Sequence, residues 1–362
     1  MTPARSILDP PIAPMLARIS VELPGSDGYL FEPKWDGFRA IVFRGGDDVY
    51  IQSRDLKPLD RYFPELHDAL LERLAPNCVV DGEIVVVTPR GLDFDALQNR
   101  IHPAASRIAR LSKETPASFV AFDLLAAEGK DVTAQSQSKR RSLLESFLAD
   151  ARPPLYLTPV TGDREVAARW LQQFEGAGLD GVIAKPVDSP YLPGKRAMLK
   201  IKHVRTADCV VAGFRWYKET SDAVGSLLLG LYDDRGTLHH VGVTSAFTMA
   251  VRKNLAIELA PLRNRALDDH PWREWSDQDA HENRRMPGGV SRWTGTKDLS
   301  WEPLRVERVC EVRYDHLQGD RFRHATHFMR WRFDKPPKDC RYDQLEVTAP
   351  YELRKVFGAA RY

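Results

Sequence analysis

No stretch of the chain approaches the ~18 consecutive apolar residues that a membrane-spanning helix requires. Met1 to Leu16 carries scattered prolines in place of a basic stretch and an apolar core, so secretion is not expected. Cysteine is scarce: Cys78, Cys209, Cys310 and Cys340 are the four, and none forms a CxxC pair. That spacing argues against a zinc ribbon or a disulfide framework, fits a reducing, cytoplasmic setting, and leaves oxygen ligands for any metal. An excess of one charge is lacking too, since 52 Lys+Arg stand against 50 Asp+Glu. Global charge therefore gives no reason to expect a polyanion partner. What is present is 362 residues with 43% hydrophobic and 28% charged side chains, enough for two domains with a core each.

Charge is uneven locally. Tyr191 to Arg215 holds six bases (Lys195, Arg196, Lys200, Lys202, Arg205, Arg215) and one acid, Asp208. Arg305 to Arg341 holds ten bases and six acids. A polyanion could be held at these two places, although either stretch alone reads equally as a solvated charged face.

From Tyr29 to Lys202 β-rich runs alternate with helical ones, with strands expected near Gly37–Phe43, Cys78–Val87, Ser118–Leu125, Leu155–Pro159 and Gly181–Lys185. Helices are expected over Pro64–Leu74 and Lys139–Ala149. A third would be capped by Asp163, with Val166, Trp170, Leu171 and Phe174 inward and Gly176 or Gly178 ending it. After His203 the texture changes to strands with tight turns: Asp208–Trp216, Ser226–Tyr232, Leu238–Thr244, Val306–Asp315 and Arg323–Phe333, with a helix near Met249–Leu262. Five strands and one helix suit a small barrel of the oligonucleotide-binding (OB) type, with Asp268–Thr296 as a long loop. The expected fold class is α+β, a domain of mixed sheets and helices over residues 1–204 followed by an OB-fold β-barrel over 205–362.

The sharpest local signal is Glu32-Pro33-Lys34-Trp35-Asp36-Gly37-Phe38-Arg39. A KxDG match arises by chance in about one chain in ten of this length, and Asp36-Gly37 is also an ordinary turn. A lysine nucleophile must be neutral to attack, which asks for a site that depresses its pKa by desolvation or by nearby cations. Leu199-Lys200-Ile201-Lys202 alternates apolar and basic residues, so on a strand both lysines share one face and could meet a phosphate, unless it is a plain exposed edge strand. Asp81-Gly82-Glu83 and Asp180-Gly181 each precede an apolar run. Each could place a carboxylate beside a hard cation or simply turn the chain into a strand. Phe119 reads as core, whereas Phe122 could present its face to a nucleobase.

In order, these segments resemble the motif set of the covalent nucleotidyltransferases: DNA ligases, RNA ligases and capping enzymes. Lys34-Trp35-Asp36-Gly37 resembles the nucleophile motif, Ser53-Arg54 the next, Asp81-Gly82-Glu83 the third and Phe122-Asp123 the adenine-stacking motif. Asp180–Lys185 resembles the fourth, Lys200-Ile201-Lys202 the fifth, and Arg330-Trp331-Arg332-Phe333-Asp334-Lys335 the last, on the barrel. The order matters more than any single match. Phe94-Asp95-Ala96-Leu97-Gln98, Glu175 to Gly181 and Val312-Arg313-Tyr314 bring the resemblance closest to ATP-dependent DNA ligases of the bacterial ligase C type.

The resemblance implies an adenylation domain, then the OB barrel, sealing nicks through a lysyl-AMP and a DNA-adenylate. By family role, Lys34 becomes the lysyl-AMP. Glu32 belongs to the nucleotide site, and Arg39 and Arg54 contact ribose and phosphates or the nick 5′-phosphate. Glu83 engages ribose or a metal, and Phe122 stacks on adenine. Lys185, Lys200 and Lys202 hold the α-phosphate, while Arg332, Asp334 and Lys335 orient the leaving pyrophosphate. Where the family usually has Glu, this chain has Asp180, one methylene shorter for a metal. The implied cofactors are ATP and Mg²⁺ or Mn²⁺. The implied partner is nicked duplex DNA, with a repair primase-polymerase or an end-joining factor alongside, no membrane, and a monomeric protein. The barrel would swing about a hinge near His203–Ala207. The rival readings are an RNA ligase, a GTP-dependent capping-type enzyme, and a non-catalytic OB-fold nucleic-acid binder.

Overall fold

A computed structural model describes residues 8–25, 27–88, 91–202, 205–218, 220–275, 300–315, 317–345 and 351–358. The chain divides into two units, Met1–His203 with Thr348–Tyr362, and Val204–Val347. The second unit is thus inserted in the chain of the first. The expected boundary at 204/205 is close, but the expected extent of the barrel domain to residue 362 is not observed. Leu353 and Val356, on the helix Leu353–Gly358, are buried in a core of the first unit, and their apolar side chains supply the reason.

The first unit holds two sheets. In one, Val49–Ser53, Phe38–Arg44, Cys78–Thr88 and Ala117–Ala127 pair antiparallel in that order, with Leu155–Leu157 parallel to the last. Ala117–Ala127 is buried at ten successive positions, so it reads as an unbroken apolar run and not as an alternating strand. Pro64–Arg73 and Gln137–Phe147 cover this sheet with Leu66, Leu70 and Leu144, each fully buried. Ser136 caps the second of these, accepting from Lys139 N, which starts it two residues before the expected Lys139. Asp163 caps Arg164–Gln173 as expected, and Trp170 and Phe174 point into the core. Gly178, at φ +85°, ends the 3₁₀ turn Phe174–Ala177 that follows.

The other sheet has the order Leu16–Ser20, Arg196–Ile201, Val182–Pro186, Tyr29–Pro33. It joins the expected Gly181–Lys185 strand to three others, two of which no strand was expected to occupy. They are short, and Arg18 and the flanking prolines break their apolar pattern. The helices Phe94–Arg100 and Ala105–Glu114 are likewise additional to those expected.

The second unit is a five-stranded antiparallel sheet in the order Leu238–Thr244, Val224–Tyr232, Arg205–Trp216, Glu302–Tyr314, His327–Trp331. Its two edges meet at one bridge: Thr326 N donates to Val243 O at 2.8 Å, and Thr244 Oγ1 donates to Thr326 O at 2.9 Å. That contact is consistent with the barrel expected from the strand inventory. The last strand, His327–Trp331, is shorter than the expected Arg323–Phe333, and Arg321–Phe322 before it pairs with Leu317–Gln318 in a separate hairpin. The helix Met249–Leu259 continues as a 3₁₀ turn through Ala260–Arg263. Of the expected hinge, Arg205 to Ala207 already belong to the strand Arg205–Trp216, while His203 and Val204 lie outside the described residues. Most of the expected loop Asp268–Thr296 also lies outside them.

Candidate active site

Two backbone hydrogen bonds fix the chain around Lys34. Lys34 N donates to Gly181 O at 2.8 Å and Asp180 N donates to Lys34 O at 2.9 Å, so the residues after Tyr29–Pro33 run beside the turn that opens Val182–Pro186. Gly181 adopts φ +121°, and a Cβ there would lie 2.1 Å from Ile201 O. At Gly37 a Cβ would lie 2.1 Å from Ile84 O. Both glycines are required by backbone contacts that no side chain tolerates, and those contacts bring the acid-Gly turn to the lysine.

The side chains converge in turn. Lys34 Nζ donates to Asp180 Oδ2 at 2.5 Å, and Lys202 Nζ lies 3.0 Å from the same oxygen. Burial works against the charge of Asp180, but Lys34 and Lys202 outweigh it and hold the carboxyl below the ordinary aspartate range. Lys200, half-buried one register position from Ile201, is pushed down by burial and then by Lys34 and Lys202, with Asp180 opposing. The alternating pattern Leu199 to Lys202 therefore places both lysines on the side of Lys34.

Arg39 is held by Asp81, its Nε and Nη2 each donating at 2.6 Å to one carboxylate oxygen. Tyr191 Oη donates to Asp81 at 2.6 Å, closing a buried cluster. Burial opposes the Arg39 charge, yet Asp81 prevails and raises its pKa. Arg39 also lies over the Phe122 ring at 4.4 Å, and Lys185 Nζ at 4.9 Å. Lys185 is buried, with Nζ donating to Phe122 O at 2.7 Å and 2.9 Å from Glu32 Oε2. Glu32 is 2% exposed, and its Oε1 has no hydrogen-bond partner. Glu83, half-buried, is pushed up to about 7 by burial, against Arg39 and Lys34.

These residues line one cavity of about 220 Å³. Glu32, Lys34, Arg39, Arg54, Glu83, Phe122, Lys185, Lys200 and Lys202, all expected from the sequence, share its wall with Leu16, Ile183 and Met198. Asp180 reaches it through its ion pairs. Arg332, Asp334 and Lys335 belong to the second unit. There Arg332 Nη1 donates to both oxygens of Asp208 at 2.9 Å, while Nε and Nη2 donate to Asp334 at 2.8–3.3 Å. Hydrogen bonding to Arg332 holds Asp334 down to about 2. Lys335 Nζ donates to Asp208 Oδ2 at 2.9 Å.

A family model of the ATP dependent DNA ligase domain matches residues 11–202, and one of the ATP dependent DNA ligase C terminal region matches residues 220–335. The chain belongs to the ATP-dependent DNA ligases. The ligase is 55% identical over 339 residues to DNA ligase C2 of Mycolicibacterium smegmatis, covering 93% of this chain and 95% of that one. To DNA ligase C of Mycobacterium tuberculosis it is 53% identical over 356 residues, covering 97% and 98%. These relatives place it in the bacterial ligase C type, which sets aside the capping and non-catalytic readings. A solved structure from a study of Lig E DNA ligases, 16% identical, superposes with TM-score 0.54 over 89% of this chain and 100% of that chain, and speaks for the fold alone. Among the described residues of the ligase no helix is long and apolar enough to cross a membrane.

Three carboxylate or hydroxyl side chains hold the expected site residues, two in the first unit and one in the second. Asp81 holds Arg39, Tyr191 holds Asp81, and Asp208 holds Arg332 and Lys335. For Asp208 a signal existed, since it is the one acid in a basic run. Asp81 lay in the acid-Gly motif read as a possible cation ligand, but its pairing with Arg39 was not read, and for Tyr191 there was no signal because 110 residues separate it from Asp81.

Proposed function

We propose that Lys34 takes the adenylyl group of ATP in this cavity, passes it to the 5′-phosphate of a DNA nick, and so prepares the end for attack by the neighbouring 3′-hydroxyl during repair. The observation that carries the reading is that Lys34, Lys200 and Lys202, the first and last of them paired to Asp180, line one cavity whose wall also holds Phe122 and Glu32.

In the first step the Nζ–P bond forms and the bond from the α-phosphorus to the bridging oxygen breaks, pyrophosphate leaving with the electron pair. Nζ must pass a proton to solvent and leave its pair with Asp180 before it attacks, and the lysine takes a proton back when it is displaced in the second step. In the second step a 5′-phosphate oxygen displaces lysine from the phosphorus. In the third the 3′-oxygen displaces AMP, a far better leaving group than an oxide. Each step gathers negative charge around phosphorus, which Lys200, Lys202 and Arg39 are placed to stabilise. The flat face of Phe122 suits adenine, and the Glu32 carboxylate, which also lines the cavity while paired with Lys185 and Arg141, can accept from a donor such as its amino group. Arg332, ordered by two carboxylates, suits the pyrophosphate.

Glu83 on the cavity wall and Asp180 beside it supply carboxylate oxygens, the donor type that a hard divalent cation takes. Glu83 and Asp180 would hold Mg²⁺ or Mn²⁺, which would neutralise phosphate charge when bound. Incubation with labelled ATP followed by a denaturing gel tests the reading. A covalent AMP adduct supports it, and a persistently unlabelled protein that still seals nicks would overturn it.

A further inference from the structure

The chain leaves the second unit and returns to the first, and the returning residues end against the site. Phe357 stacks on Trp35, the residue after Lys34, with ring centroids 5.1 Å apart and planes 19° apart. Its ring also stacks on Tyr156 at 4.2 Å and 17°. Trp35 is 5% exposed and its Nε1 donates to Thr158 Oγ1 at 2.8 Å, so Phe357 on its face and Thr158 at its edge together fix the indole. Six residues earlier Tyr351 N donates to Gly176 O at 3.1 Å, and its ring lies 5.4 Å from that of Phe174. Phe174 and Gly176 belong to the turn that leads into Asp180. Between these anchors Leu353 and Val356 are buried among Phe31, Trp35 and Val182.

The segment therefore touches both chains that exchange the Lys34–Gly181 and Asp180–Lys34 backbone hydrogen bonds. We infer that Tyr351–Gly358 is a positioning element for the nucleophile, Phe357 acting through Trp35 and Tyr351 through the turn before Asp180. Aromatic stacking fixes orientation as well as burying area, so it suits holding a loop to the tolerance that in-line attack demands. The rings stacked on Phe357 are those of Trp35 and Tyr156, whereas the ring of Phe122 is faced by Arg39 and Lys185. Loss of this ring should therefore change the rate of attack more than the affinity for ATP.

The inference rests on Lys34 being the nucleophile. The experiment is single-turnover formation of the AMP adduct in the full chain, for wild type, Phe357→Ala, Phe357→Tyr and Lys34→Ala, each with an ATP titration and a thermal melt. Phe357→Ala should slow adduct formation at saturating ATP by about tenfold or more, with the half-saturating ATP concentration nearly unchanged, and Phe357→Tyr should restore the rate. An unchanged rate per folded molecule, with only a lowered melting temperature, would overturn the positioning role. So would a rise in half-saturating ATP that accounts for the whole effect. Should Phe357→Ala be too unstable to assay, the same two readouts on Tyr351→Leu decide. Adduct on Lys34→Ala would refute the nucleophile assignment itself, a failure distinct from the others.

Discussion

Asp180 binds Lys34 and Lys202 through one oxygen, at 2.5 and 3.0 Å, so a single carboxylate holds two lysines together at the cavity. Without it the two lysines would lose the carboxylate they share, and Lys34 Nζ would no longer be held beside the cavity before it deprotonates and attacks. Asp180→Asn should slow formation of the lysyl-AMP by about tenfold or more while the protein still folds. Asp180→Glu, which keeps the charge, should retain most of the rate. Pre-steady-state adenylation of both variants checks this, and an asparagine variant as fast as wild type would contradict it.

Arg332 is gripped by Asp208 on one side and Asp334 on the other, and Lys335 leans on the same Asp208. If the group they order serves pyrophosphate departure, only the first step needs it. Arg332→Ala and Asp208→Asn should then suppress enzyme adenylation yet spare sealing of a nick already carrying AMP on its 5′-phosphate. Both rates are measured for each variant beside a thermal melt. Equal loss of both rates in a folded variant would move Arg332 to the DNA-binding steps.

The residues that line the cavity were legible because each sits in a short motif whose chemistry is local: a lysine, an acid-Gly pair, an alternating basic strand. The partners that order them were not. Asp208 and Arg332 are 124 residues apart, and Arg39 and Asp81 are 42 apart. Such pairs are set by strand pairing, Asp81 facing Ile41 across the sheet two residues from Arg39, and periodicity carries no trace of it. The C-terminal helix was missed for another reason. Six residues are too few to show a helical stripe, and its apolar positions mean something only beside the core they enter.

His240 gives a stability prediction with a definite sign. Burial, then Arg321 and Arg215, push its pKa from 6.5 down to about 3. The folded protein keeps it neutral while the unfolded chain binds a proton below its ordinary value, so stability is lost as pH falls from about 6.5 toward 3, by at most about 1.4 kcal/mol per pH unit. Asp180 and Asp334, both held low, add loss of the same sign at lower pH. Subtracting the profile of His240→Phe isolates the histidine. Its melting temperature should fall less than that of wild type between pH 6.5 and 4, and parallel profiles would contradict the assignment.

If Lys34 carries the AMP, the adduct must be found on that residue. The ligase is exposed to ATP, digested, and its peptides weighed, with Lys34→Ala and Lys34→Arg in parallel. The mass of one AMP should appear on the peptide containing Lys34 alone. Both variants should lack it while melting like wild type, because a guanidinium stays protonated and cannot attack. AMP on any other residue, or an adduct surviving in either folded variant, would contradict the account.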